Sequence, residues 1–228
     1  MKKYIILAAT ALLCVSCFSV NNNYKGGNNS VKGEGNVITK SFDLKDFDAI
    51  EVNGNADVTF TQADAFEVTV RTQENVFEYL DYKVEGTKLV IEAKDRRTIR
   101  AEEYEVSVKA PQLQAIEVNG AGDIKIPAGL RMEGDVKVEI NGAGDIDMTG
   151  LVCKNLNISA NGACDIDAHG IDAEFVKVGI NGAGDVELSG KAGSADLSVN
   201  GAGDINATHL QVAGEVKKHA AGVAKIRI

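Results

Sequence analysis

The sequence predicts an all-β protein whose second half is a three-sided parallel β-helix, a β-solenoid of ~20-residue rungs, behind an N-terminal β-rich cap. Three observations carry this. The motif Asn-Gly-Ala-Gly-Asp starts at Asn119, Asn141, Asn181 and Asn200, with the variant Asn-Gly-Ala-Cys-Asp at Asn161, so the spacings are 22, 20, 20 and 19. Between motifs, apolar residues recur at the same offsets, as in Ile146, Met148, Leu151, Cys153, Leu156 and Ile158, then Ile166, Ala168, Ile171, Ala173, Val176 and Val178. Glycine is abundant at 24 residues and proline scarce at 2, which suits strands joined by tight corners that need positive φ.

The offsets describe three short strands per rung, each with period-two alternation, broken at Asn-Gly and again near Gly150 or Gly170. Asn-Gly between alternating strands is also a β-hairpin signal, and an antiparallel meander would use it. A hairpin has no need of the same five residues in every copy. A stacked rung does, because each residue lies on its own copy ~4.8 Å away. The turn pairs Asn119-Gly120, Asn141-Gly142, Asn161-Gly162, Asn181-Gly182 and Asn200-Gly201 are therefore read as structural corners, with the asparagines forming an amide ladder. A related Asn-Gly-Asn-Ala-Asp begins at Asn53, and a degenerate last copy at His219.

The N-terminus reads as a targeting segment. Lys2 and Lys3 precede an apolar run, Ile5 to Val15, that is too short to span a bilayer. Val15-Ser16-Cys17 resembles the lipobox of bacterial lipoproteins, with Cys14 departing from it. On that likeness residues 1–16 are a signal peptide and Cys17 is the lipidated first residue, giving an outer-membrane lipoprotein on the cell surface or periplasmic face. The Asn-, Gly- and Ser-rich residues 17–36 read as a tether. Folded sequence is expected over 37–228, with strands and a cap in 37–118 and rungs in 119–228. Residues 74–82 suggest a helical turn, and 95–103, with mixed charges, a solvated loop. Nearly all mature aromatic residues precede Tyr104, as a larger N-terminal cap would require.

Removing the leader takes the net charge from −9 to −11. That balance excludes nucleic acid as a partner and disfavours electrostatic binding to anionic lipid, so the membrane contact would be the lipid anchor alone.

Two acidic columns stand out on the outside of the rungs. Counting from each motif Asn as zero, offset four holds Asp57, Asp123, Asp145, Asp165, Asp185 and Asp204. Offset six holds Asp147, Asp167 and Glu187, interrupted by Lys125 and Asn206. Carboxylates ~4.8 Å apart repel by ~0.9 kcal/mol per pair even at the dielectric of water, so something must offset them. Either each aspartate accepts backbone N–H groups of its own corner, or Ca²⁺ bridges neighbouring rungs. The first is favoured, because capping a turn requires aspartate at the same place in every copy. His169, His209 and His219 have no ligand spacing with the cysteines and read as surface residues. Cys153 falls at an inward offset and Cys164 replaces a corner glycine; a bridge between them is not indicated. The glycine-rich corners are not phosphate loops, since no helix follows them.

Phe47-Asp48-Ala49-Ile50-Glu51-Val52-Asn53-Gly54, the Val58–Gln62 strand, Gly179-Ile180-Asn181 and the Asn-Gly-Ala-Gly-Asp repeats together resemble the auto-transporter adhesin head GIN domain family over roughly residues 37–228. The resemblance implies a right-handed β-helix on an exported protein and an adhesive or surface role toward an extracellular glycan or protein. The sequence to Ile228 carries no translocating barrel, so the lipid anchor is expected to hold the domain. No catalytic set is legible. Polysaccharide binding or processing is the alternative by fold analogy, and a periplasmic scaffold a further one.

Overall fold

The computed structural model describes residues 29–127 and 129–228; the leader, Cys17 and the first part of the tether lie outside the described residues. The chain runs β1 (Ser30–Lys32), β2 (Val37–Phe42), β3 (Ala49–Gly54), β4 (Asp57–Gln62), β5 (Glu67–Gln73), a 3-10 turn (Glu74–Tyr79), β6 (Leu80–Glu85), β7 (Lys88–Ala93), a 3-10 turn (Lys94–Arg96), β8 (Thr98–Arg100) and β9 (Tyr104–Ala110). It continues as β10 (Ala115–Gly120), β11 (Ile124–Ile126), β12 (Val136–Ala143), β13 (Ile146–Thr149), β14 (Val152–Ala163), β15 (Ile166–Ala183), β16 (Val186–Val212) and β17 (Val216–Arg227).

From β10 onward every pairing is parallel, and the coils stack as a β-solenoid of about five turns. The register matches the repeat: Asn119 pairs with Asn141, Asn141 with Asn161, Asn161 with Asn181, and Asn181 with Asn200. Alternation turns Val136, Val138 and Ile140 inward, and their stacked copies Leu156, Ile158 and Ala160 lie against them; all are buried. These narrow aliphatic columns make the core continuous along the stack.

Stack order differs from chain order at the N-terminal end. β10 lies on β3, and β3 in turn on β7; β11 lies on β4, and β4 on β9. The chain thus lays down the rung 49–62 first, moves outward to build 88–110 beneath it, and returns to continue above. The Gln114 N–H bonds Asp48 O and its carbonyl accepts Lys137 N–H, which holds the returning chain in the stack. Three antiparallel strands close this end: β5 on β9, β2 on β5, and β6 on β7. Antiparallel strands end the parallel ladder, and aromatic pairs fill the space beneath them, Phe42 on Tyr82 and Phe47 on Phe66, each with centroids 5.0 Å apart.

Two expectations are corrected here. Ser30–Lys32, inside the stretch read as tether, is a strand, and Thr98–Arg100, inside the stretch read as a solvated loop, is its parallel partner. Each carries one apolar residue, Val31 and Ile99, and the pairing buries both. A single apolar residue among polar ones shows no periodicity, so neither segment signals a strand by itself. The turn expected near 74–82 is the 3-10 turn Glu74–Tyr79.

Candidate functional site

The corner that opens each second strand is built from four stacked columns. The asparagines form a ladder: Asn119 Nδ2 donates to Asn53 Oδ1 at 3.1 Å, Asn141 to Asn119 at 3.1 Å, Asn161 to Asn141 at 3.1 Å and Asn181 to Asn161 at 3.0 Å. At the foot, Asn119 Nδ2 also donates to Glu117 (3.0 Å), which holds that carboxyl below its usual range, and Asn53 Nδ2 donates to Glu51 (2.7 Å). The glycine after each asparagine has φ between +145° and +154° at Gly120, Gly142, Gly162, Gly182 and Gly201. A Cβ there would sit about 2 Å from the carbonyl oxygen of the glycine one rung back, as at Gly162, 1.9 Å from Gly142 O. Only glycine allows both the conformation and the approach.

The offset-four aspartates also form a ladder, but not the expected one. Each accepts the backbone N–H of the aspartate one rung further on, rather than an N–H of its own corner. Asp57 Oδ1 accepts from Asp123 N (3.2 Å), Asp123 from Asp145 (3.0 Å), Asp145 from Asp165 (3.2 Å), Asp165 from Asp185 (2.9 Å) and Asp185 from Asp204 (2.9 Å). The column ends at a cation, where Arg227 Nη2 meets Asp204 at 2.5 Å. A charge-assisted bond to each neighbour offsets the repulsion between them.

Offset six differs. Asp147, Asp167 and Glu187 are exposed, in register, and without an ion pair among the described residues. Asp167 and Glu187 converge with His169, their ligand atoms all within 4.8 Å of one another. In the sequence His169 reads as a surface residue apart from the column. It lies two residues from Asp167 and shares its face, a spacing that strand periodicity makes meaningful.

Cys153 and Cys164 are buried and unbridged. Burial pushes the Cys153 thiol up to about 11 and raises that of Cys164. Neither has the exposed, electropositive setting of a reactive thiol.

A cleft of about 600 Å³ opens at the foot of the asparagine ladder, where β7 leaves the repeat and no corner lies beneath Gly54. Glu51, Asn53, Asn55, Glu92, Arg96, Arg97 and Asn119 line it. Arg96 of its lining and the preceding Asp95 have φ +52° and +54°, a left-handed pair.

A family model described as "Putative auto-transporter adhesin, head GIN domain" matches residues 46–170 and 138–228, two overlapping segments that cover the stack. The chain belongs to that family. Three solved structures share the fold. A protein of Bacteroides fragilis described as a "putative adhesin" is 20% identical, with TM-score 0.71 over 86% of this chain and 99% of that one. One of Parabacteroides distasonis, also described as a "putative adhesin", is 23% identical, with TM-score 0.78 over 86% and 84%. Another of P. distasonis, described as a "putative lipid binding protein", is 20% identical, with TM-score 0.75 over 87% and 100%. Comparison with curated proteins gives no match. Membership of this GIN-domain family points to a cell-envelope or extracellular setting. No helix among the described residues is long and apolar enough to cross a membrane.

Proposed function

We propose that the protein is an exported lipoprotein, anchored through Cys17 to the outer membrane, whose solenoid is a non-catalytic adhesin-like head. The observation that carries this is the family match across an uninterrupted stack, residues 46–228. The regularity of the stack supports it: the corner columns spend their polar atoms on one another, which suits a rigid stalk-like surface better than a reaction centre. The test is protease added to intact cells, with a periplasmic protein as control. Loss of the domain while the control survives is expected. Survival of both until the outer membrane is broken would replace the adhesin with a periplasmic scaffold.

The cleft favours a second reading, recognition of a glycan. Asparagine amides, two carboxylates and two guanidinium groups offer both donors and acceptors to a hydroxyl-rich ligand. A glycan array probed with the protein and with Asn55→Ala tests it; equal binding by both would rule the cleft out.

A further inference from the structure

We propose that Asp167, His169 and Glu187 form a binding site for a divalent transition ion of the Zn²⁺ or Co²⁺ type, on the outer face of the second strand of the rung.

The donor set is one imidazole and two carboxylates, with all ligand atoms within 4.8 Å of one another. Ligands on one such ion sit ~2.0–2.2 Å from it, so they lie about 3–4 Å apart, a closure that exposed side chains make by rotation alone. Imidazole nitrogen favours Zn²⁺ and its neighbours over Ca²⁺, which takes six to eight oxygens. Three protein donors leave open positions for water or for an oxygen of another molecule.

Three independent features single this place out. The first is a local irregularity of the sheet. Ala168 pairs with Leu188 and Ile171 with Gly190, so His169 and Gly170 together face Ser189 alone. A bulge of this kind re-aims the side chain that sits on it. The second is orientation by neighbours outside the triad. Ser189 Oγ lies 3.2 Å from His169 Nδ1 and accepts the Gly170 N–H at 3.2 Å. With Nδ1–H donated to Ser189, Nε2 is left to bind the metal. On the other side Asn206 Nδ2 donates to Glu187 Oε1 at 3.2 Å, and Asn206 is itself held by the Thr208 hydroxyl at 2.8 Å.

The third is charge. At two other places the molecule compensates adjacent acids internally. Lys88 bridges Glu51 and Glu117 on neighbouring rungs (2.5 and 3.1 Å), and Lys83 bridges Glu85 and Glu92 (3.0 Å each). Asp167 and Glu187 are paired across neighbouring rungs just as Glu51 and Glu117 are, yet among the described residues no lysine or arginine joins them. A bound cation would do for them what Lys88 does for the other pair.

The test is titration of the full chain with ZnCl₂, followed by calorimetry and by the imidazole resonances of the three histidines. One saturable site is expected, and the His169 resonances move before those of His209 and His219. His169→Ala weakens binding at least tenfold, Asp167→Asn and Glu187→Gln about tenfold each, and Ser189→Ala by a smaller factor. Ca²⁺ in tenfold excess leaves Zn²⁺ bound. No saturable binding overturns the proposal, as does binding that survives His169→Ala or fails with His209→Ala. The residues are on the surface, and an unchanged melting curve for each variant without metal shows that the loss is one of ligation.

Discussion

The N-terminal end and the repeating rungs use the same first strand but hold it in different ways. Glu51-Val52-Asn53-Gly54 and Glu117-Val118-Asn119-Gly120 align residue for residue across β3 and β10. Above Gly120 and below it lie other corners, so each group meets its own copy twice. Below Gly54 the repeat is gone: Glu92 pairs with Asn53, and the chain turns away over the cleft. In the rungs, stability comes from identity between neighbours. At the end it comes from dissimilar parts: antiparallel strands, aromatic pairs, and the buried hydrogen bond between the Tyr82 and Tyr104 hydroxyls at 2.9 Å. A change inside the stack should therefore be felt by two neighbours, and the same change at its end by one or none.

The largest effect is expected at the glycines. Gly162→Ala places a Cβ 1.9 Å from Gly142 O in addition to straining a φ of +152°. That combination should cost roughly 3 kcal/mol or more, because the rung of Gly162 would have to part from that of Gly142. Gly54→Ala has a similar φ, +144°, but nothing within 4 Å of the new Cβ. Only the conformational strain remains, about 1–2 kcal/mol. Thermal melts of the two variants would separate the contributions; equal losses would show that backbone conformation, not stacking, selects glycine here.

Core truncation should follow the same order. Leu156 is fully buried within the stack, and Leu156→Ala is expected to cost about 2–5 kcal/mol. Ile226, on the last coil and stacked on Ile205, is only partly buried, and Ile226→Ala should fall below about 1.5 kcal/mol. Denaturant midpoints would check this, and a loss at Ile226 as large as at Leu156 would mean that β17 is as firmly covered as the middle of the stack.

Alkaline pH should distinguish the two regions by where each begins to fail. Burial pushes the Cys153 thiol from 9.0 to about 11 within the rungs. In the cap, burial pushes the Tyr104 phenol from 10.0 to about 12. Both values are raised in the folded state, so above the unfolded value the folded protein holds the proton that the unfolded chain has released. The stabilisation is complete below the unfolded value and is lost as pH rises through the folded one. Unfolding free energy should thus begin to fall near pH 9 through Cys153 and again near pH 10 through Tyr104. Cys153→Ala should shrink the first decline, to which the raised Cys164 thiol also contributes, and leave the second. Tyr104→Phe should weaken the second and, by leaving the Tyr82 hydroxyl without its partner, cost about 1–2 kcal/mol at neutral pH. A pH series of melts that Cys153→Ala leaves unaltered would contradict the assignment.

The same contrast explains what could be read from the residues. In the rungs, Asn141, Asn161 and Asn181 recur because each touches the next, so the repeat is visible in one dimension and its register follows. The cap has no such redundancy. That β10 returns to β3 rather than to β7 is decided by strands up to 66 residues apart, and Val31 with Ile99 shows how two individually silent segments make a strand pair. The aspartate ladder was half legible. Recurrence at Asp123, Asp145 and Asp165 announced a structural acceptor, but period alone does not say whether the donor is in the same corner or the next. His169 was missed because its partners are spread over two rungs and a bulge sets its direction, and only the stacking brings Glu187 to it.

The smallest expected effect concerns charge in the offset-four column. Asp145 accepts the Asp165 N–H at 3.2 Å through one oxygen, and that function needs an acceptor rather than a charge. Asp145→Asn keeps the acceptor and removes repulsion from two neighbours, ~0.9 kcal/mol each at the dielectric of water, while giving up charge assistance of similar size. It should change stability by no more than about 0.5 kcal/mol in either direction. Asp145→Ala removes the acceptor, leaves the Asp165 N–H to solvent, and should cost about 1–2 kcal/mol. Asp204 at the end of the column has Arg227 in place of a further rung, so Asp204→Asn loses an ion pair without relieving as much repulsion, and should be the more harmful of the two amide variants. Melts with and without millimolar Ca²⁺ complete the set. If the column is held by its own backbone bonds, calcium leaves wild type and Asp145→Asn alike; a rise confined to the wild type would show that the carboxylates bind the ion as a row.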